Sequence, residues 1–440
     1  MKKFTKILLI GCLLVTVSCN NWLDVEPKSQ VKDKDLFASE MGFKEALSGV
    51  YSLMTKEALY GKELTFGWLG VLGQEWTSVP YNYEDDQKYD FENAASEVRI
   101  DSVWTGLYNA IANANKLLKE LEGKENLFSG DNYFIIKGEV LALRAYLHFD
   151  LLRIFGASCT VGMERIAIPY VTEYAPTIFP QEKVGDFVGK VLNDLQDAAK
   201  CLENDPILTG RTVSEIDDNG YLMNRQVHLN YYAVKGLMAR VYLYKGDYAN
   251  AEVCAKEVIG SGCFEWVKQE NLTNESVADL TFSTEHLFAL NIVTLGNIVD
   301  KYLDGGNNSF ALEESRLSEY YGSSYDYRYL YLFKTGVGMS NTLRYLKKYD
   351  QLESVSWAQS YRNKLPLICL PEMYYILAEC RYHSSGDVLE PLNEVCRHRG
   401  VADLSEADLS AFETLLLAEY RKEVIGGGQL FFQYKRLNRS

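Results

Sequence analysis

Residues 229–259 read LNYYAVKGLMARVYLYKGDYANAEVCAKEVI. Tyr232, Ala233, Gly236, Ala239, Arg240 and Tyr242 fall on one helix, Gly246-Asp247-Tyr248 forms a turn, and Ala251, Ala255 and Val258 line a second helix. The small side chains at Ala233, Gly236 and Ala239 let a neighbouring helix approach closely. This is the helix–turn–helix plan of a tetratricopeptide repeat. A weaker copy runs from Met373 to Arg399, where Tyr375, Ala378, Glu379 and Tyr382 precede Ser385-Gly386-Asp387 and another amphipathic stretch. Two such units are too few for a solenoid, so they read as a helical scaffold inside a larger domain.

Helical periodicity also dominates the chain on the N-terminal side of this unit. Asp101–Leu121 places Val103, Leu107, Ile111, Ala114, Leu117 and Leu118 on one stripe. Tyr133–Phe155 is apolar on most sides and predicts a buried helix stopped by Gly156, and Val184–Leu202 repeats the pattern with Phe187, Val191, Leu195 and Ala198. A short strand is expected at Leu287-Phe288-Ala289-Leu290. The fold class is mostly α: a tetratricopeptide-like helical scaffold with long irregular loops and a few short strands.

Two segments break the helical period. Leu59–Glu92 sets Tyr60, Phe66, Trp68, Trp76, Tyr81, Tyr83, Tyr89 and Phe91 among Gly, Pro, Asn and Asp, and Asp300–Tyr361 is equally rich in rings. Both read as long loops on a rigid scaffold, the usual place for function. Trp76, Tyr81, Asn82 and Tyr83 in the first, with Tyr320, Tyr321, Tyr325, Asp326, Tyr327 and Arg328 in the second, mix flat rings with hydrogen-bonding side chains. A sugar offers one apolar C–H face and a rim of hydroxyls, which such a mixture matches. Asp326 and Arg328 read as a structural ion pair.

The first residues are not part of the fold. Lys2, Lys3 and Lys6 precede a short apolar run from Ile7 to Val17, which is a secretory signal too short to span a bilayer. Ser18-Cys19 follows, a small residue directly before a cysteine, as bacterial lipoprotein signals end. The sequence therefore divides into a signal at 1–18, a lipidated tether at 19–34 beginning at Cys19, and one domain at 35–440. The seven remaining cysteines, at 159, 201, 254, 263, 369, 380 and 396, form no C-x-x-C pair and are expected to be buried free thiols, with a Cys254–Cys263 bridge as the alternative.

The 440 residues are 47% hydrophobic and 24% charged, which is ordinary globular usage. Lys plus Arg number 45 against 60 Asp plus Glu, a net charge of -15. Removing the three signal lysines leaves 42 against 60, or -18. An acidic surface repels phosphate backbones, so nucleic acid is a poor partner. Tyr alone numbers 31, an excess that suits a stacking surface.

A catalytic constellation is not written in the sequence. The five histidines, at 148, 228, 286, 383 and 398, have no metal-ligand spacing, and His148 reads as a packed helix residue. No cofactor fingerprint occurs, and Gly426-Gly427-Gly428 follows a helix and reads as a cap and turn. Glycosidases need two carboxylates about 5 to 10 Å apart, which sequence cannot place for Glu84, Asp85 or Asp86.

Taken in order, the segments resemble the SusD/RagB family, surface lipoproteins that sit on TonB-dependent outer-membrane transporters in Bacteroidetes. The resemblance begins with Trp22-Leu23-Asp24 and Pro27 after Cys19, and continues through Phe43–Tyr51 and Trp104 with Tyr108, Ile111, Ala114 and Asn115. Its most distinctive stretch is GEVLALRAYLHFDLLRIFG at 138–156, with Ile168-Pro169 behind it. Asp194-Leu195, the unit at 229–259, Ser283–Phe288, Asp326 with Arg328, and Leu365–Tyr374 complete the series. The C-terminal signature departs: Glu419–Glu423 is present, but Gly427, Leu430 and Gln433 stand where the family carries charges.

The resemblance implies a non-catalytic lid that holds no cofactor. It would capture oligosaccharide or polysaccharide on loop aromatics and hand it to a SusC-like TonB-dependent transporter. Acylated Cys19 would anchor it in the outer membrane, facing the exterior. A peptide-binding lid of a RagA/RagB-type importer and a surface hydrolase on the same scaffold are the alternatives.

Overall fold

The structure, a computed structural model, describes residues 34–214, 220–274, 276–306, 308–336, 342–351 and 361–439. Cys19, its signal and nearly all of the tether lie outside these residues. Helices of eight residues or more are α1 Glu40–Met54, α2 Ala94–Leu121, α3 Asn132–Phe155, α4 Val184–Cys201, α5 Tyr231–Lys245, α6 Tyr248–Ile259, α7 Leu295–Tyr302, α8 Glu314–Tyr321, α9 Leu370–Ser384, α10 Leu389–His398, α11 Phe412–Glu423 and α12 Gln429–Arg436. The strands are β1 Ile166–Pro169, β2 Gln181–Lys183, β3 His286–Asn291, β4 Leu312–Glu313, β5 Phe333–Thr335, β6 Leu343–Leu346 and β7 Lys364–Cys369. They pair as β1–β2, β3–β7 and β4–β6–β5, all antiparallel.

The repeat unit forms as its residues dictate. The Asn230 side chain accepts the Ala233 N–H at 3.0 Å and starts α5, and Gly246 at φ +82 ends it. Asp247 then accepts the Asn250 N–H and starts α6. Gly236 is where the strand pair seats: a Cβ there would lie 2.8 Å from Leu287 Cδ2 and 3.2 Å from Ile368 Cγ2. The second unit, α9–α10, packs on α6, with Ser385 taking the left-handed turn at φ +58. The main apolar cluster runs from Phe37 to Phe432, and a smaller one joins α9, α10 and α11 around Tyr375, Leu392, Phe412 and Tyr420.

Helix α3 is buried on nearly all sides, as expected. His148 within it is a packed residue: Nδ1 lies 2.9 Å from the Arg144 carbonyl, Nε2 accepts the Val171 N–H, and the ring stacks on Tyr170 at 4.0 Å. Burial pulls its pKa down to about 3. The seven described cysteines are free thiols; Cys254, Cys380 and Cys396 are buried, while Cys263 is exposed.

The two aromatic segments are where the fold departs from the reading of the sequence. Most of their described rings are packed inward, Tyr81, Tyr89, Phe91 and Tyr325 excepted, and the segments are joined by a bridge: Thr77 and Ser78 donate to the Ala311 carbonyl at 3.0 Å, and Ala311 returns a bond to Ser78. Phe310 is the hub, with ring centroids of Tyr83 at 5.1 Å, Phe66 and Trp76 at 5.9 Å and Tyr302 at 6.4 Å. The segments lack a period because they turn repeatedly through the interior and deliver rings to one cluster from several directions.

The glycine run is a structural turn between α11 and α12. Gly426 and Gly428 take φ +72 and +69, and a Cβ on Gly428 would lie 2.6 Å from the Leu64 carbonyl oxygen. Leu430 and Gln433, which replace charges of the resembled signature, are structural too. Leu430 belongs to the smaller apolar cluster, and Gln433 accepts two bonds from Arg436.

Glu75 holds this turn by accepting the Gly426 N–H at 2.8 Å, while its other carboxyl oxygen has no partner. Burial raises its pKa to about 7, above the 4.5 of an exposed carboxyl. Ionising it in the fold is therefore unfavourable: stability falls as pH rises from about 4.5 through 7 and is flat above. Glu75→Gln is expected to raise stability by about 1–3 kcal/mol at pH 8 and to change little at pH 5. Denaturant titrations at the two pH values check this.

Candidate functional site

Helix α1 buries Phe43, Leu47, Val50, Tyr51 and Met54, which leaves Ser48, Ser52 and, just past its end, Thr55 along another face. Helix α7 buries Leu295, Ile298, Val299 and Tyr302 and leaves Asn297 and Lys301, one turn apart, on its outer side. These two polar stripes face each other across a groove of about 870 Å³. Its floor is Tyr51, Val227, His228, Leu290 and Ile298, and Asn291 and Thr294 close the side formed by the end of β3.

The floor is fixed from below by a buried ionic cluster. Glu139 of α3 accepts the Tyr51 hydroxyl at 2.9 Å and the Arg225 guanidinium at 2.7 Å, and its Oε2 lies 2.9 Å from His228 Nδ1. Arg225 also pairs with both oxygens of Asp205, and the Tyr51 oxygen accepts the Leu229 N–H. Burial pushes the Glu139 carboxyl up, but the Arg225 guanidinium and the hydrogen bonds from Arg225 and His228 outweigh it and hold the pKa at about 2. At the mouth, Glu57 lies 3.5 Å from Lys301 and accepts the Tyr302 hydroxyl at 2.9 Å.

The groove therefore offers hydroxyls, amides, the amines of Lys56 and Lys301 and a carboxylate above a partly apolar floor. Such a set exchanges hydrogen bonds with a ligand bearing many hydroxyls. Among the described residues no group of three or more His, Cys, Asp or Glu side chains is placed to hold a metal ion.

None of the ring and amide residues picked from the sequence lines this groove. Trp76 is only 2% exposed, and its indole N–H donates to the Phe66 carbonyl at 2.7 Å. Tyr83 is equally buried: its hydroxyl donates to Glu63, and its ring lies 3.9 Å from the Arg99 guanidinium. Both are core residues, which corrects their reading as ligand contacts. Tyr81 is 85% exposed beside the exposed Asn82, whose carbonyl accepts a bond from Arg99. Tyr320 is half-buried under the Arg421 guanidinium at 4.3 Å, and Tyr325 is 77% exposed.

Asp326 and Arg328 form the expected structural pair, at 2.9 and 2.7 Å. The groove residues Ser48, Ser52, Thr55, Asn297 and Lys301 were missed. The available signal was the three-to-four-residue spacing of hydroxyls opposite the apolar stripe of α1.

Residues 21–243, half of the chain, match a SusD-like family described as starch-binding and associating with the outer membrane. SusD-like protein P38 of Formosa agariphila is 24% identical over 269 residues, covering 60% of this chain and 47% of that protein. SusD-like protein P2 of the same organism is 26% identical over 167 residues, which is 36% of this chain and 30% of that protein. The chain thus spans half or less of the curated relatives it matches.

Among solved structures, a SusD superfamily protein from Bacteroides thetaiotaomicron superposes with a TM-score of 0.74 at 22% identity, covering 91% of this chain and 90% of that one. A putative sugar binding protein from Bacteroides vulgatus gives 0.71 at 22%, covering 91% and 87%. A laminarin binding SusD-like protein gives 0.65 at 18%, covering 91% and 92%. At these identities the likeness is one of fold. Family match and fold agree with the order of motifs along the sequence, and the chain belongs to the SusD-like family.

Proposed function

We propose that this protein is a non-catalytic glycan-binding lipoprotein of the outer membrane, and that it captures oligosaccharide or polysaccharide in the groove between α1 and α7. The observation that carries the reading is the match of residues 21–243 to a family described as starch-binding and outer-membrane-associating. The groove adds chemistry that suits it. Ser48, Ser52 and Thr55 on one wall and Asn297 and Lys301 on the other can engage the two edges of a sugar chain. The similarity in fold to a laminarin binding protein points to the same ligand class.

The division into signal 1–18, lipidated tether 19–34 and domain 35–440 belongs to this proposal. Cys19 carries the lipid, and no helix among the described residues is long and apolar enough to cross a membrane. A diacylated cysteine together with contact to a SusC-like transporter receiving the glycan gives two membrane-retaining contacts, which suits stable anchoring.

The test is binding of soluble residues 20–440 to laminarin and amylopectin, compared with the variant carrying both Asn297→Ala and Lys301→Ala. Loss of two hydrogen-bonding groups is expected to weaken affinity by about tenfold or more. Unchanged binding would move the site away from the groove.

A further inference from the structure

A second depression, of about 420 Å³, shares no lining residue with the groove. Its walls include Trp266, Lys268, Gln269, Tyr327, Arg397 and His398, contributed by the loop after α6, the short helix Tyr327–Tyr331 and the end of α10. Three kinds of ring meet there. The His398 imidazole lies flat on the Trp266 indole, with centroids 4.6 Å apart and planes 8° apart, and the indole leans on Tyr374 at 5.2 Å.

Tyr327 is fixed from three sides. Its N–H donates to the Arg399 carbonyl at 2.9 Å, and its hydroxyl donates to Gln269 Oε1 at 3.2 Å. Its ring lies against Gly400, where φ is +69 and any Cβ would collide with the ring edge. Gln269 in turn donates to the Tyr331 hydroxyl at 3.3 Å.

Beneath these rings sits a tight ionic knot. Arg328, next to Tyr327, pairs with Asp326, Glu419 and Glu423; Arg399, next to His398, pairs with Glu285 and Glu423. Both guanidiniums are fully buried. The depression is thus locked from behind and open in front, and preorganised groups of this kind lose little freedom on binding.

Its chemistry matches one ligand class. Flat rings stand beside an amide, an amine and the exposed carboxylate of Glu265. The guanidinium of Arg397 is held by Asp403 at 2.8 Å, so neither sign of charge is in large surplus. With the Trp266 indole covered by His398 and by the Arg399 guanidinium at 5.3 Å, a neutral sugar would set its C–H face on the His398 and Tyr327 rings and its hydroxyls on the polar ends.

We infer that the Trp266–Tyr327–His398 depression is a second saccharide subsite, taking one neutral pyranose unit, with hydroxyls bonded to Gln269, Lys268 and Glu265. The inference rests on the reading of the protein as a glycan binder. A polymer long enough to reach both sites would be held by avidity, which short sugars cannot gain.

Saturation-transfer NMR with laminaritriose and maltotriose tests it on residues 20–440, on Gln269→Ala and Tyr327→Ala, and on the groove variant Asn297→Ala. The expected result is transfer that persists in Asn297→Ala and falls several-fold when Gln269→Ala or Tyr327→Ala is added. Retention by laminarin or amylopectin gels should then drop by more than the trisaccharide data alone account for. If Tyr327→Ala does not fold, Gln269→Ala and the exposed Lys268→Ala carry the test.

Transfer lost in Asn297→Ala alone, or unchanged in Gln269→Ala, Lys268→Ala and Tyr327→Ala, overturns the subsite and leaves the glycan reading standing. No transfer from the wild type to either sugar, with no retention in either gel, overturns both.

Discussion

Replacing Arg328 by methionine is expected to lower the stability of the protein by about 3–5 kcal/mol, the cost of leaving buried carboxylates without their cation. Arg328 is fully buried and donates to Asp326 at 2.9 and 2.7 Å, to Glu423 at 2.9 Å and to Glu419 at 3.3 Å. Methionine fills most of the volume but satisfies none of these oxygens. The neighbouring Arg399 still neutralises Glu423 and Lys422 still pairs with Glu419 at 2.6 Å, so Asp326 bears most of the loss.

The pH dependence follows from the same contacts. Burial raises the Glu423 pKa, but the charges of Arg399 and Arg328 outweigh this and hold it at about 2, against 4.5 when exposed. Its contribution to stability is present above pH 4.5 and is lost as pH falls through about 2. In Arg328→Met the carboxylates take up protons more readily, so the deficit against wild type should shrink between pH 8 and pH 5. Denaturant titration at both values reads this. A deficit under 1 kcal/mol at pH 8 would mean that the knot is not a unit.

Trp76→Ala is expected to cost a similar amount, about 3–5 kcal/mol, by emptying the space of a large buried ring. The indole packs on Phe310 with centroids 5.9 Å apart, and its N–H satisfies the Phe66 carbonyl. Trp76→Phe keeps most of the ring but leaves that carbonyl unpaired, at a cost of about 1–3 kcal/mol. Tyr81→Ala, five residues on but at the surface, should change stability by no more than about 0.5 kcal/mol. Thermal and denaturant unfolding of the three variants separate these cases. A glycan-binding defect in Trp76→Ala would therefore report a damaged core and not a lost contact.

Much of the scaffold was legible because helices announce themselves by period and punctuation. Gly246-Asp247 ended one helix and capped the next at the expected position, and the small residue at 236 does admit a close neighbour, though the strand pair and not the expected helix sits there. The strand at Leu287–Leu290 and the Asp326–Arg328 pair are also where the sequence placed them. The aromatic segments misled because composition alone cannot separate a ring on a surface loop from a ring on a buried one. Polar and glycine neighbours suggested exposure for Trp76 and Tyr83, yet those neighbours make the turns that carry the rings inward.

The groove was hidden for the opposite reason. Ser48, Ser52 and Thr55 are ordinary surface residues until α7, some 240 positions later in the chain, is brought across from them. Trp266, Tyr327 and His398 likewise come from three separated elements, and sequence spacing carries no trace of their meeting.

Retardation of soluble residues 20–440 in native gels containing laminarin, amylopectin or no glycan tests the central claim most directly. The account predicts that at least one glycan slows the wild type, and that Asn297→Ala with Lys301→Ala restores most of the free mobility while the variant stays folded. A folded wild type that migrates identically in all three gels would contradict it.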